Sequence, residues 1–311
     1  MEYDKELFTP LNDDEKKIEE VVRPSISYWQ DAWRRLKKNK LAIVSLIFIV
    51  LFTLTVVILT TFSSLDYSSN NLLMTNQKPS ASHIFGTDHL GRDIFIRIMY
   101  GAKYSLIIGF SAALINVVIG VLYGGISGFF GGRIDNIMMR IVDIIYSIPL
   151  IIIVILLMTY FYANKASNDS GLSSIILALS ISYWLSMARI VRGEILQLKE
   201  REFVLAAKAL GASKKRILLR HLIPNCLGPI IVTTTLLIPQ AIFTEAFLSY
   251  IGLGLNPPKA SLGTLCNEAM QGLYVFPYQM FFPAIVICLI ILAFNLFGDG
   301  LRDALDPKMK R

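Results

Sequence analysis

The chain has 311 residues, of which 54% are hydrophobic and 17% are charged, and its formal net charge is +7. Soluble domains carry about 25% charged residues, and the charges of this chain cluster between long uncharged stretches, which excludes a pair of soluble domains. The basic residues lie beside the apolar stretches, so we expect them to orient the chain in a membrane and expect no nucleic acid partner.

Residues 1–40 predict a cytoplasmic tail that ends in an interfacial helix. The first 27 residues are polar and acidic, without the apolar stretch of a cleavable signal peptide. From Ser27 to Lys40, apolar residues at helical spacing lie opposite basic ones. These apolar residues are Trp29, Ala32, Trp33 and Leu36. The pattern is typical of a helix that lies on the inner face of a bilayer.

Six apolar stretches follow, and each predicts a helix that crosses the bilayer. The first, residues 41–62, would cover roughly 33 Å at about 1.5 Å per residue, which exceeds a hydrocarbon core of about 30 Å. A lone strand could not satisfy its backbone in lipid, so we expect an all-α membrane protein with six transmembrane helices. The other predicted spans are residues 104–130, 144–163, 172–188, 222–244 and 276–298.

The basic residues also predict the orientation of the spans. Of the 30 lysines and arginines, 24 fall in segments that are cytoplasmic if the N-terminus is inside, and 6 fall in the outer segments. Cytoplasmic loops of membrane proteins carry the excess of Lys and Arg. We therefore expect cytoplasmic N and C termini, an extracytoplasmic segment over residues 63–103 and a cytoplasmic tail over residues 302–311.

The second predicted span carries three glycines, Gly120, Gly124 and Gly128, on one helix face. Glycines four residues apart allow another helix to approach closely. The simpler interpretation is helix packing inside the chain. The alternative is a contact with a second membrane subunit, and the spacing alone does not separate the two.

The fifth predicted span contains three prolines together with polar side chains. Proline frees backbone carbonyls that neighbours or water must satisfy. One interpretation is a helix beside an aqueous route, and the other is an ordinary kinked helix. Thr234, Gln240 and Glu245 are the candidate pathway-lining residues, because an acidic group close to a span is a candidate functional site.

A basic cytoplasmic loop, residues 194–224, connects the fourth and fifth spans and predicts two short helices. Four residues at i, i+3, i+4 and i+7 predict one shallow apolar stripe on the first helix. They are Phe203, Ala206, Ala207 and Leu210. Gly211 suits a left-handed helix end, Ser213 suits the N-cap of the second helix, and Pro224 would open the fifth span. Such a stripe fits a helix laid in a partner's groove, and a plain amphipathic surface loop is the alternative.

This loop resembles the EAA loop of bacterial ABC importer permeases, in which Glu-Ala-Ala, a glycine and a proline recur at fixed spacing. The matching positions are Ala206, Ala207, Gly211, Ile223 and Pro224. Leu205 stands where the family has its Glu, and His221 stands where it has Ile. Glu202, one turn earlier, is a candidate substitute for the missing acid. The resemblance implies that the loop couples the chain to an ATPase subunit.

Three further blocks narrow the resemblance. Residues 83–93, His-Ile-Phe-Gly-Thr-Asp-His-Leu-Gly-Arg-Asp, are similar to an outer block of peptide and nickel permeases. Residues 243–254 and 295–307 are similar to segments of the C-type subunit, and the first 60 or so residues resemble its N-terminal extension. Over nearly its whole length the chain thus resembles the C-type permease subunit of bacterial oligopeptide and dipeptide ABC importers.

The resemblance implies the MetI-like fold of type I ABC importer permeases, with a five-helix core over residues 104–301. It implies a B-type permease, two ABC ATPases and an extracytoplasmic peptide-binding lipoprotein as partners. The chain would form half of the pore of an ATP-driven oligopeptide importer that works by alternating access. No catalytic, cofactor or metal site is expected on this chain. It has no P-loop motif, so ATP and Mg would be used by the ATPase subunits.

Other functions stay open from the residues alone. A dipeptide, nickel or other small-solute importer would share the same blocks. A secondary transporter would use carboxylates inside the membrane, and only Asp143 and Glu245 lie near a span. A membrane enzyme would need a clustered nucleophile and base or a metal site, which the three widely spaced cysteines do not provide.

Four charged residues that lie close together in the outer segment predict a salt-bridged loop. They are Asp88, Arg92, Asp93 and Arg97.

Overall fold

The computed structural model describes residues 27–62, 66–163 and 171–306, and the named elements in those ranges are helices. In chain order the longer ones are α1 (Tyr28–Lys38), α2 (Lys40–Phe62), α3 (Ile94–Phe130), α4 (Gly132–Tyr146), α5 (Leu150–Ala163), α6 (Leu172–Leu198), α7 (Glu202–Ala209), α8 (Leu227–Tyr250), α9 (Leu262–Ala269) and α10 (Tyr278–Leu305). The predicted all-α architecture is confirmed.

Five helices of the described chain are long and apolar enough to cross a membrane: α2, α3, α6, α8 and α10. The sixth candidate span is the pair α4 and α5, whose axes differ by 78°. The prediction of six spans therefore holds if this bent pair counts as one. The predicted orientation of the termini stays a prediction. The N-terminal tail up to residue 26 and residues 307–311 lie outside the described ranges.

The prediction of one continuous helix over residues 144–163 is wrong. Helix α4 ends at Tyr146, an irregular segment covers residues 147–149, and α5 begins at Leu150. Pro149 has no N–H to continue the helix, and a residue before proline is pushed out of the helical region. The apolar run conceals this break, because hydropathy reports burial in lipid and not the direction of the chain.

Helices α3 and α6 extend well beyond their predicted spans, because a charged residue does not by itself end a helix. Helix α3 begins at Ile94, ten residues before the predicted start, where the Asp93 carboxylate accepts a hydrogen bond from the Ile96 N–H at 3.1 Å. Helix α6 continues past the predicted end at residue 188 to Leu198. The extensions carry the ion pairs described below.

The predicted helix α1 is present and packs on the end of the last span, while its position at the membrane interface stays a prediction. Ala32 and Leu36 are buried, and Leu36 joins a cluster with Ala304 of α10. The Tyr28 hydroxyl donates to the Leu305 carbonyl at 2.9 Å. Trp29 and Trp33 remain half exposed, as expected for aromatic anchors at the interface.

The three glycines of α3 pack against α6 of the same chain. A Cβ at Gly120 would lie 2.6 Å from the Met187 Cβ, and one at Gly128 would lie 2.8 Å from the Arg192 carbonyl oxygen. Gly124 meets the backbone of Ala188 in the same way. This close approach is the internal packing that the glycine spacing allows. These glycines therefore serve packing within the chain and not a contact with a second subunit.

Candidate functional site: the coupling loop and its supports

Helix α7 has a buried face and an exposed face, and the division differs from the prediction. Val204 is fully buried and Ala207 is 8% exposed, so both face the rest of the chain. Phe203, Ala206 and Leu210 face outward, with Leu210 88% exposed. The predicted stripe is therefore wrong at Ala207. The remaining three residues form an outward apolar face, which we call the α7 face.

Gly211 ends α7 as predicted. Its φ is +75°, in the left-handed region that favours glycine, and a Cβ there would meet nothing within 4 Å. The Ala212 N–H donates to the Ala207 carbonyl and the Gly211 N–H to the Lys208 carbonyl, each at 3.0 Å. This is the Schellman arrangement, which satisfies carbonyls at the helix end. It turns the chain sharply and leaves Leu210 at the tip of the loop.

The segment after Gly211 is helical but irregular. Ser213 caps it as predicted, since its hydroxyl accepts from the Arg216 N–H at 3.3 Å. Residues Ile217–Leu222 form a π-helical stretch, in which the Ile223 N–H donates to the Leu218 carbonyl. Pro224 lies one turn before α8, so the prediction that it opens the span is wrong by three residues. Both features interrupt the regular hydrogen bonds of an α-helix: Pro224 has no N–H to donate, and the π-helical stretch bonds to the fifth residue back.

The buried face of α7 joins one apolar cluster with two spans. Val204 and Ala207 pack in a cluster with Met187, Val191 and Ile195 of α6. The same cluster contains residues of the loop and of α8: Ile217, Leu222, Cys226, Ile230 and Leu237. Because close-packed side chains transmit displacement, a push on α7 reaches α6 and α8 together. The buried face of α7 is therefore joined to both spans by direct packing.

Glu202, the candidate substitute for the missing family Glu, is exposed on the first turn of α7. It forms no ion pair within the described ranges. Ile223 is half-buried and Pro224 is exposed. Glu202 is thus available to a partner on the side of the loop that carries the α7 face.

Of the three candidate pathway residues, the structure separates one from the others. Gln240 is exposed, and Thr234 is half-buried with its hydroxyl bonded to the Ile230 carbonyl at 2.6 Å. Glu245 is fully buried within the chain. Ser105 of α3 and Ser249 of α8 each donate to its carboxylate at 2.7 Å. The prediction that Glu245 lines a pathway is wrong in this structure, because its carboxylate is a hydrogen-bonded link between two spans.

The charged outer loop is salt-bridged as predicted, but its centre includes a residue that the sequence did not reveal. Asp88 contacts Arg92 and Arg97, each at 2.7 Å, and Arg97 is 3% exposed. Glu268 of α9 contacts Arg97 at 2.6 Å and Arg92 at 3.0 Å. Asp93 instead caps α3 and contacts the His83 ring at 2.7 Å.

The protonation of Asp88 follows from its two arginines. Burial disfavours the charged carboxylate, but Arg97, together with the Arg92 guanidinium and backbone N–H, outweighs it and holds the pKa of Asp88 below its usual range. Asp88, His89 and Glu268 lie close enough together to hold a metal ion. Both carboxylates, however, already accept hydrogen bonds from the arginines, and two adjacent cations oppose a third. We therefore interpret this cluster as a latch between residues 88–97 and α9.

A second set of ion pairs holds α4 to α6. Asp135 contacts Arg192 at 2.5 Å and accepts from the Ser127 hydroxyl at 2.5 Å. Asp143 contacts Arg189 at 2.8 Å. Sequence reasoning missed both pairs. The only available signal was the occurrence of acidic residues on a short amphipathic stretch and arginines on the extension of α6.

The comparisons with known proteins agree with this architecture. The family described as binding-protein-dependent transport system inner membrane component matches residues 116–311. A second family, the N-terminal TM domain of oligopeptide transport permease C, matches residues 27–79. In fold, the chain is similar to a permease of the inward-facing MetNI methionine ABC transporter, with a TM-score of 0.55 and 19% identity over 68% of this chain and 98% of that one.

Curated relatives are similar over almost the whole chain. The oligopeptide transport system permease protein OppC of Bacillus subtilis is 49% identical, covering 99% of this chain and 98% of its own length. The dipeptide transport system permease protein DppC of the same organism is 48% identical, covering 98% and 94%. OppC of Escherichia coli K12 is 43% identical, covering 91% and 92%.

Proposed function

This chain belongs to the family of binding-protein-dependent transport system inner membrane components, and we propose that it forms half of the pore of an ATP-driven peptide importer. Family membership makes it a multi-pass permease subunit of the cytoplasmic membrane. A permease of this kind works with a partner permease, ATPases and a substrate-binding protein. The specific partners proposed are a B-type permease, two ABC ATPases and a peptide-binding lipoprotein.

The observation that carries the proposal is the division of α7 into an exposed apolar face and an anchored face. Phe203 is 40% exposed and Leu210 is 88% exposed, although both are large apolar side chains. Ala206 between them makes the surface shallow, which suits a helix lying in a groove of another protein. Behind that surface, Val204 and Ala207 pack against α6 and α8. The loop is therefore shaped to be held on one side and to move two spans on the other.

The proposed mechanism uses this connection. ATP binding closes the two ATPase subunits and displaces the α7 face, and the α6–α8 cluster moves with it as a rigid body. The pore then opens outward and receives the peptide, and hydrolysis returns it. The chain itself forms and breaks no covalent bond. ATP and Mg bind to the ATPase subunits in this scheme, and no cofactor binds to this chain.

The substrate class rests on the relatives. Peptide is common to OppC and DppC, and the two Bacillus subtilis proteins are almost equally similar to this chain, at 49% and 48% identity. Oligopeptides are the first proposal and dipeptides the second. A nickel or other small-solute importer remains an alternative that an uptake assay separates.

The test is uptake by proteoliposomes that contain this chain, its partner permease, both ATPases and the binding protein. We expect ATP-dependent, vanadate-sensitive accumulation of a labelled oligopeptide, with a labelled dipeptide and nickel as competing substrates. Uptake that depends on an ion gradient and not on ATP would indicate a secondary transporter and overturn the proposal. Preferential uptake of the dipeptide or of nickel would reassign the substrate.

A further inference from the structure

The break between α4 and α5 lies at the depth of the hydrocarbon. Ile145, just before the break, packs in the cluster that contains Trp184 and Leu185 of α6. Leu150, just after it, packs in the cluster that contains Leu179. Residues 179–185 are near the middle of α6, which is 27 residues long. At about 1.5 Å per residue, the break is roughly 10–20 Å from the outer end of a helix that crosses a core of about 30 Å.

The backbone at this break has unmet hydrogen-bonding groups. The carbonyls of Tyr146, Ser147 and Ile148 accept no hydrogen bond from any described residue, and the N–H groups of Leu150 and Ile151 have no acceptor there. The Ser147 hydroxyl is occupied, since it donates to the Ile144 carbonyl at 2.7 Å. Each unmet backbone group would cost several kcal/mol in hydrocarbon.

These groups are nevertheless on the surface of the subunit. Tyr146 is 61% exposed and Ile148 is 44% exposed, and Ser147 and Pro149 are exposed as well. Irregular backbone at membrane depth is tolerated only where protein buries it or where it borders water. Lipid therefore does not cover this surface.

A charged pair beside the break supports the same conclusion independently. Asp143 and Arg189 are bonded at 2.8 Å, yet their side chains remain 55% and 41% exposed. The Arg189 guanidinium lies 4.6 Å from the centre of the Tyr146 ring. Ionisable residues within membrane segments face a bundle interior or a water-filled cavity rather than acyl chains.

We propose that the break at residues 147–149 borders the aqueous translocation route and that its free carbonyls accept hydrogen bonds from the main-chain N–H groups of a passing peptide. Main-chain contacts are the same for every side chain, so this site would suit a transporter of varied peptides. The identity of the ligand as a peptide rests on the proposed function. The contact of the break with water does not depend on it.

The experiment measures modification of a cysteine at the break in the assembled transporter. Ser147→Cys is introduced into a Cys288→Ala background, because Cys288 is exposed whereas Cys226 and Cys266 are buried. The matched control is Leu51→Cys, at the middle of α2, where Leu51 is 59% exposed on a helix that buries few residues. The reagent is a charged, membrane-impermeant thiol reagent applied to proteoliposomes containing the whole complex.

We expect rapid modification of the S147C variant and almost none of the L51C variant, and several-fold slower modification of S147C when binding protein, ATP and a transported peptide are present. Absent modification of S147C would overturn the proposal and indicate that the second permease subunit covers the break. Modification that the peptide does not slow would overturn the peptide contact, provided the same preparation imports that peptide. Failure of peptide uptake in the unmodified complex would instead refute the proposed function, while modification without peptide would still report the contact with water.

Discussion

Replacing Leu210 by alanine tests whether the α7 face binds an ATPase subunit. The side chain is 88% exposed in the isolated chain, so almost all of its apolar surface is available for burial by a partner. Full burial of a leucine side chain contributes about 1.5–3 kcal/mol. A loss of about 2 kcal/mol corresponds to roughly 30-fold weaker association, since each 1.4 kcal/mol is tenfold.

The assay is the association of purified ATPase subunits with the permease pair in nanodiscs, followed by peptide-stimulated ATP hydrolysis. Leu73→Ala is the matched control, because Leu73 is also a leucine, is 95% exposed and belongs to the predicted outer segment. We expect the L210A variant to bind ATPase more weakly and the L73A variant to bind normally. The permease itself should remain stable in both, since neither residue is packed. Unchanged association of L210A would refute the assignment of the α7 face as the docking surface.

Three other predictions concern the turn at Gly211, the two faces of α7 and the outer salt bridges. Gly211→Ala should reduce the coupling of ATP hydrolysis to uptake, because alanine in the left-handed region costs about 1–2 kcal/mol. Gly211→Asn should retain more of this coupling. The control Gly252→Ala, at φ +91°, should leave it intact when hydrolysis and uptake are compared. Ala207→Leu should lower the unfolding temperature, because overpacking a buried site costs about 1–3 kcal/mol. Ala206→Leu should alter ATPase binding and leave stability unchanged. The reverse result would contradict the division of α7 into a buried and an exposed face. The pKa of Asp88 is lowered in the folded state, so its stabilising effect should be complete above its usual pKa of about 4 and be lost as the pH falls further; unfolding midpoints against pH should show this loss in the parent and not in Asp88→Asn.

Much of the architecture could be predicted because it depends on local patterns. Long apolar runs predicted the spans, since a helix is the structure that satisfies its own backbone in lipid. The turn at Gly211 and the cap at Ser213 were also predictable. Both depend on the φ of one residue or on a hydrogen bond to the third residue along the chain.

The errors in the coupling loop and in α8 concern the direction in which side chains face. Ala206 and Ala207 are adjacent in sequence, and only the position of α6 and α8 decides that Ala207 is buried while Ala206 is exposed. Glu245 was predicted to line a pathway because it is acidic near a span. The serines that surround it come from two helices, and Ser105 is 140 residues away in sequence.

The sequence by itself determined that this chain enters a membrane, approximately where it does so, and which loop carries the family motif, because these depend on composition and on short-range spacing. Only the tertiary structure decided the break within the third span, the burial of Glu245 and the recruitment of Glu268 to the outer latch. Arg97 and Glu268 are 171 residues apart, and no local pattern records which distant charges meet. The physical reason is that hydropathy and backbone preference act within a few residues, whereas the partners of a buried polar group are set by the packing of helices.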